Sequence, residues 1–187
     1  FDKARMKGDF LAYFKELAER KNIKWQHVYK HFERFVNGKC TFEEVDVDLC
    51  RKFMEYLLNA PQSIHTNQKL HVNSAAGYWS AFRAVLHTAY RDRKIKENPN
   101  GFLDRIECIP TMREHLSQEE LIWLAETPCE EDVLKRAFLF ACLTGLRKSD
   151  IRQLTWQQIQ PYTNGKMFVT TRMQKTKQIV HNPISDE

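Results

Sequence analysis

No run of apolar residues in this 187-residue chain is long enough to span a bilayer, and no signal-peptide pattern opens it. Those absences point to an intracellular, cytoplasmic protein, although Phe1 stands where an initiator methionine would be. Residues are therefore expected to be missing there, and with them any targeting signal. Disulfide scaffolding is excluded as well. The five cysteines, Cys40, Cys50, Cys108, Cys129 and Cys142, are odd in number, widely spaced and without a C-x-x-C pair. They are expected to be reduced and structural, with Cys142 inside a buried helix. No metal centre is expected either: His27 and His31 lie one helical turn apart, but no third ligand follows at a suitable spacing, so a solvated helix face is the simpler reading.

What is present is globular: 42% of residues are hydrophobic and the mean hydropathy is -0.58, in a length that holds one large or two small domains. The net charge of +5 is unevenly placed. Residues 1 to 110 carry 19 basic and 14 acidic side chains, while residues 111 to 187 carry 10 of each. Within that balanced part, Arg147, Lys148, Arg152, Lys166, Arg172, Lys175 and Lys177 face Asp150 alone between 147 and 177. A neutral segment that collects its cations in one stretch suggests a polyanionic ligand.

Helical periodicity dominates the first part. Phe10, Phe14 and Leu17 mark one helix, and Trp25, Val28, Phe32 and Phe35 a second, with His27, His31 and Arg34 on its wetter side. A third is expected from about Asp46 to Leu58. A fourth, from about Val72 to Lys94, places Ala75, Trp79, Phe82 and Leu86 on one stripe and the small residues Ser74, Gly77, Ala81, Ala84 and Thr88 opposite. Small residues admit a neighbouring helix or a DNA groove. Lys69 and Asn73 near the start of that helix, with Arg91 and Arg93 at its end, favour DNA. Asn98-Pro99-Asn100-Gly101 ends the unit, and Ile106 to Arg113 reads as a linker. Ser117 then opens a new helix, with Glu120 completing a capping box, so the expected domains are 1 to 111 and 112 to 187.

The most informative segment begins where a helix that is apolar almost all round, Val133 to Leu143, breaks at Thr144-Gly145. Gly145 suits a helix C-terminal turn with positive φ. A further helix is expected from Arg147, carrying Ser149 and Asp150 in its first turn and Leu154 and Trp156 near its end. Its free N–H groups favour a phosphate, and the Arg147 fork can take two phosphate oxygens at once. Beyond Trp156 come three short β-rich stretches, 158 to 162, 167 to 171 and 178 to 182, with a turn signal at Thr163-Asn164-Gly165 and a basic turn from Met173 to Lys177. They read as a small antiparallel sheet whose second hairpin holds its lysines out toward Arg147.

The run T-G-L-R-x-S-D-I-x-x-L-x-W, from Thr144 to Trp156, resembles the first arginine box of the tyrosine recombinases, the phage-integrase family of DNA strand-exchange enzymes. The layout before it is similar to that family's core-binding domain and domain junction. The resemblance implies a mainly α fold with a small antiparallel β-sheet: a helical SAM-like core-binding domain, then the start of a mixed α+β catalytic domain. It implies Arg147 as the clamp on the scissile phosphate, Asp150 as its supporting acid, and Lys175, in a K-T-K-Q-I-V-H-N-P-I run, as general acid, with Lys177 the runner-up. Lys69, Asn73, Ser74, Arg91, Arg93, Lys148 and Lys177 become the expected DNA contacts. The implied partner is a double-stranded DNA attachment site, bound by a homotetramer when the protein is full length, with no metal or nucleotide cofactor.

The family's His-x-x-Arg box, its later His or Trp and its nucleophilic tyrosine belong after the hairpin. Neither His115 nor His181 is followed by an arginine three residues on, and Tyr162 lies too early to be the nucleophile. The chain therefore reads as a recombinase fragment that binds DNA without cleaving it alone. A non-catalytic DNA-binding or regulatory module, or a helical protein-interaction domain, are the alternatives.

Overall fold

The computed structural model describes residues 7–63, 66–161 and 165–184. The chain divides into two compact units, Phe1–Met112 and Arg113–Glu187.

In the first unit, α1 (Phe10–Glu19), α2 (Ile23–Phe35), α3 (Val47–Asn59) and α4 (Val72–Arg91) surround one aromatic core. Each helix begins where a side chain takes over the first unpaired N–H groups. Asp9 accepts from Ala12 N–H, Asn22 from Lys24 and Asp46 from Leu49. The apolar stripes then meet. Phe10, Phe14, Phe32, Phe53 and Phe82 are fully buried, with the Phe82 ring 4.9 Å from Phe32 and 4.8 Å from Phe53. The α4 stripe is buried at Ala75, Trp79, Phe82 and Leu86 as its spacing requires.

The opposite face of α4 admits a helix for part of its length. Ala81 is buried, and a Cβ at Gly77 would meet the Lys24 Nζ of α2 at 3.2 Å. The side of α2 that looked wet is likewise not all wet: His31 is 5% exposed, its ring lying against Tyr56 and Tyr78. Its Nδ1 has no hydrogen-bond partner among the described residues. Burial first, then the charges of Arg34 and His27, pull its pKa below the ordinary histidine value. A lowered native pKa means that the unfolded chain takes up a proton where the folded chain does not. Stability of the first unit is thus expected to fall as pH drops below about 6.5, the unfolded value, and to level off once the native ring protonates. His31→Gln should flatten that dependence in chemical denaturation curves measured from pH 7.5 to 5.

A two-stranded hairpin, β1 (Pro61–Ser63) with β2 (Thr66–Lys69), joins α3 to α4 and was not foreseen. Its polar sequence carries no apolar alternation. After α4, a 3-10 turn at Pro99–Phe102 packs back through Asn100, which accepts from Arg83 Nε and donates to the Arg83 carbonyl.

The second unit contains α5 (Gln118–Glu126), α6 (Asp132–Thr144), the single-turn α7 (Lys148–Ile151), a 3-10 turn at Trp156–Gln158 and strands β3 (Ile159–Pro161), β4 (Met167–Arg172) and β5 (Ile179–Ile184). Ser117 and Glu120 close the capping box reciprocally. The strands form an antiparallel sheet in the order β3-β4-β5, with Val169 opposite Ile159 on one side and Asn182 on the other. Of the expected Thr163-Asn164-Gly165 turn, 163 and 164 lie outside the described residues, as does Tyr162; Gly165 has φ +79°.

Two expectations fail here. Helix α6 is largely apolar apart from Asp132, Lys135 and Arg136 yet has no buried residue, and Cys142 is exposed rather than internal. Only α5, α7 and β5 cover it appreciably among the described residues, which leaves Val133, Leu134 and Leu143 two-thirds exposed or more. The helix expected to run from Arg147 to Trp156 stops at Ile151, and Trp156 is 87% exposed. A single turn sums few peptide dipoles, so anion attraction at this junction rests on the arginine rather than on a helix field. The cysteines are all free. Burial, followed by nearby carboxylates, pushes the Cys40 thiol up to about 12, as befits an inert core residue.

Candidate functional site

The arginine turn is built from the end of α6. Thr144 Oγ1 donates to the Phe140 carbonyl at 2.6 Å and accepts from Leu146 N–H, while Gly145 N–H donates to Ala141 O at 2.9 Å with φ +68°. A Cβ at Gly145 would meet nothing within 4 Å, so replacement costs only backbone strain. Gly145→Ala is expected to destabilise the second unit by about 1–2 kcal/mol, against a negligible change for Gly101→Ala; paired thermal melts measure both. Asn182 Nδ2, from β5, donates to the Thr144 carbonyl and ties the sheet to the same turn. Leu146 is then buried, which leaves its neighbour Arg147 exposed.

Arg147 lies against the turn between β4 and β5. Its Nη1 is 3.8 Å from the sulfur of Met173. Asp150, three residues on and 3% exposed, accepts the backbone N–H of Gln174 through Oδ1 at 2.8 Å. It lies in the first turn of α7, where an acid favours a helix start, but its carboxylate makes no bond to Arg147 among the described residues. The Gln174 bond pins the hairpin, and Oδ2 has no partner among the described residues. Lys175 sits exposed in that hairpin turn, directly after Gln174. The turn closes through Met173 N–H to Gln178 O and Lys177 N–H to Met173 O. Lys177 adopts φ +60° and its carbonyl accepts from Arg172 Nε, so its backbone shapes the turn. Lys148 is exposed beside Arg147. Arg147, Asp150, Lys148, Lys175 and Lys177 thus fall in one region of the second unit.

The remaining candidates belong to the first unit. Lys69 is exposed and donates to Asn59 Oδ1 at 3.3 Å; Ser74, Arg91 and Arg93 are exposed, Arg93 with φ +55° in the turn that ends α4. Asn73 is bonded to the linker. Its Nδ2 donates to the Ile109 carbonyl at 2.9 Å and its Oδ1 accepts Ile109 N–H at 2.8 Å. Each end of the amide thus bonds the linker, and Asn73 clamps chain 36 residues away. Trp79 Nε1 holds the same linker by donating to Asp104 O at 2.8 Å.

Sequence reasoning missed Met173, Gln174 and Asn182, whose contacts join segments far apart in the chain. It also missed an open apolar groove of about 1010 Å³ along α5, α6 and β5, lined in part by Leu121, Ile122, Leu139, Phe140, Leu143 and Ile184.

Comparison with known proteins bears on this geometry. Residues 9–103, just over half of the chain, match the model of the phage integrase SAM-like domain. No curated protein sequence matches. Among solved structures, a lambda integrase dimer bound to a COC' core site is similar with a TM-score of 0.67 at 18% identity, over 96% of this chain and 50% of the other. A lambda integrase tetramer bound to a Holliday junction gives 0.64 at 19% identity, over 95% and 50%. A third, lambda integrase(75-356) as a dimer on a COC' core site, gives 0.59 at 19% identity, over 93% and 60%. At those identities the likeness is one of fold, and the chain spans about half the length of the first two. With the domain match covering the helical unit and the fold extending through the arginine turn and its sheet, the chain belongs to the tyrosine recombinase, or phage integrase, family.

Proposed function

We propose that this chain is the core-binding domain and the opening portion of the catalytic domain of a site-specific DNA recombinase. The recombinase breaks and rejoins strands through a 3′-phosphotyrosyl intermediate. The observation that carries the reading is the placing of Arg147 against the β4–β5 turn that holds Lys175. Attack on a phosphodiester builds negative charge on the non-bridging oxygens and on the departing 5′-oxygen. Arg147 answers the first with a guanidinium fork whose geometry matches two oxygens. Lys175, on an exposed turn, answers the second as the general acid. The nucleophilic tyrosine and the His-x-x-Arg box lie elsewhere in the full-length protein, so this chain by itself binds DNA without cutting it. Because the phosphotyrosine conserves the energy of the broken bond, no nucleotide is consumed.

The apolar surface of α5 and α6 supports the same reading. Ile122, Trp123, Val133, Leu134, Phe138 and Leu143 are all more than 40% exposed on a unit of fewer than eighty residues. An apolar face of that extent is ordinarily covered. The remainder of the catalytic domain is its natural cover. In the first unit Lys69, Ser74, Arg91 and Arg93 supply phosphate contacts, and the full-length protein assembles as a tetramer on its attachment sites.

The test is salt dependence followed by covalent capture. DNA affinity of this chain should fall steeply with salt, and Lys177→Ala should lower the slope by about one. The full-length protein should additionally form a denaturation-resistant adduct with its attachment-site DNA. Salt-dependent binding with no adduct would instead establish a non-catalytic DNA-binding module.

A further inference from the structure

We infer that Met173 is a positioning residue, which aims the Arg147 guanidinium without neutralising it. The inference rests on the recombinase reading of the site and adds a residue to it. Arginine carries a long, rotamer-rich side chain whose freedom must be lost before a phosphate can be held in a defined pose. Proteins commonly fix such a side chain with a carboxylate. At this site that would be self-defeating, because a carboxylate competes with the phosphate for the same N–H groups and cancels the charge that binds it.

The acid nearest in sequence, Asp150, is in fact turned to Gln174 N–H. Among the described residues, the polar side-chain contact of Arg147 is to the thioether of Met173, 3.8 Å from Nη1. A thioether is a weak, uncharged and polarisable acceptor. It gives the guanidinium a preferred direction and yields when an anion arrives. The platform is itself rigid, because Met173 forms the base of the hairpin turn through both backbone groups, to Gln178 O and from Lys177 N–H. Asp150 pins the next residue. Met173 thereby fixes Arg147 in relation to the turn that carries Lys175.

The experiment compares Met173→Ala and Met173→Leu in the full-length protein. Single-turnover cleavage is measured on attachment-site DNA with an ordinary phosphodiester and with sulfur in place of the bridging 5′-oxygen. Met173→Ala should slow cleavage on the order of tenfold to a hundredfold, equally on both substrates, because the defect lies at the non-bridging oxygens. Met173→Leu, which keeps the packing and loses the acceptor, should recover only part of the rate. Cleavage by Met173→Ala at the wild-type rate would overturn the proposal, and so would a defect that disappears on the sulfur substrate, since that would place the fault at Lys175.

A second readout does not depend on cleavage. In methyl NMR of the protein labelled at its five methionines, Arg147→Ala should shift and loosen the Met173 methyl, and Met173→Ala should broaden the Arg147 side-chain N–H signals. Unmoved signals contradict the contact even if the wild type cuts DNA. Moved signals in a protein that forms no adduct keep the contact and defeat the recombinase reading alone.

Discussion

Lys175→Ala in the full-length protein is expected to slow strand cleavage by about 10²–10⁴-fold, the usual contribution of a positioned general acid. The defect should all but vanish when the bridging 5′-oxygen of the scissile phosphate is replaced by sulfur. An alkoxide must be protonated as it leaves, because its parent acid is about as weak as water, whereas a thiol ionises near ~8.5 and departs as the anion. Arg147→Ala should behave differently. It removes charge from the non-bridging oxygens, which are unchanged by the substitution, so a loss of about 10²–10³-fold should persist on both substrates. The crossing of variant with substrate separates the two roles more cleanly than either loss of activity. Lys177→Ala is expected to leave the sulfur effect intact, because the backbone of Lys177 shapes the turn while its side chain is left for phosphate contact.

Phe82→Ala should have the largest effect on stability, about 3–5 kcal/mol by the usual cost of emptying a buried aromatic site. The ring is fully buried and lies within 6.4 Å, centroid to centroid, of Phe10, Phe14, Phe32, Phe53 and Trp79. Its neighbours come from α1, α2 and α3 as well as its own α4, so that, like Phe32, it joins all four helices at one point. Against a typical domain stability of about 5–15 kcal/mol, such a loss leaves the first unit barely folded, and DNA binding should fail with it. Phe102→Ala supplies the control. That ring is 66% exposed, and its removal should fall within about 0.5 kcal/mol. Urea denaturation followed by far-UV circular dichroism measures both.

These two predictions draw on different depths of legibility. Phe82 could be read from the sequence, because Ala75, Trp79, Phe82 and Leu86 recur at helical spacing and a stripe of that kind must be buried. The capping box at Ser117 and Glu120 and the left-handed turn at Gly145 were equally plain, since each is a local arrangement with a local physical cause. The hairpin of β1 and β2 was not. Its residues are polar, Pro61 discourages a strand, and only the closure between α3 and α4 makes it form.

At the site, the resemblance named Arg147, Asp150 and Lys175 as candidates, but the contacts that position them could not be read from the sequence. Asp150 meets Gln174 across 24 residues, and Arg147 meets Met173 across 26. Neither pairing leaves a periodic signature. Asn73 has a structural role that its sequence did not announce. A polar residue at the start of a helix flanked by basic residues suggests DNA, yet the linker at Ile109 takes both ends of its amide. His31 was misplaced for a similar reason: helix spacing put it beside Lys30 and Arg34, while the aromatic rings of α3 and α4 decide its burial. The open face of α6 could not be foreseen from an apolar pattern that specifies burial without saying by what.

The central claim is that Arg147 holds a phosphate that a tyrosine of the same protein attacks. The direct measurement is covalent capture of the full-length recombinase on its own attachment-site DNA bearing sulfur at the bridging 5′-position, resolved on a denaturing gel for the wild type and for Arg147→Ala. A wild-type adduct linked through a 3′-phosphotyrosine and greatly slowed by Arg147→Ala is the predicted result. An adduct formed at the same rate by both proteins, or none by the wild type, would contradict it.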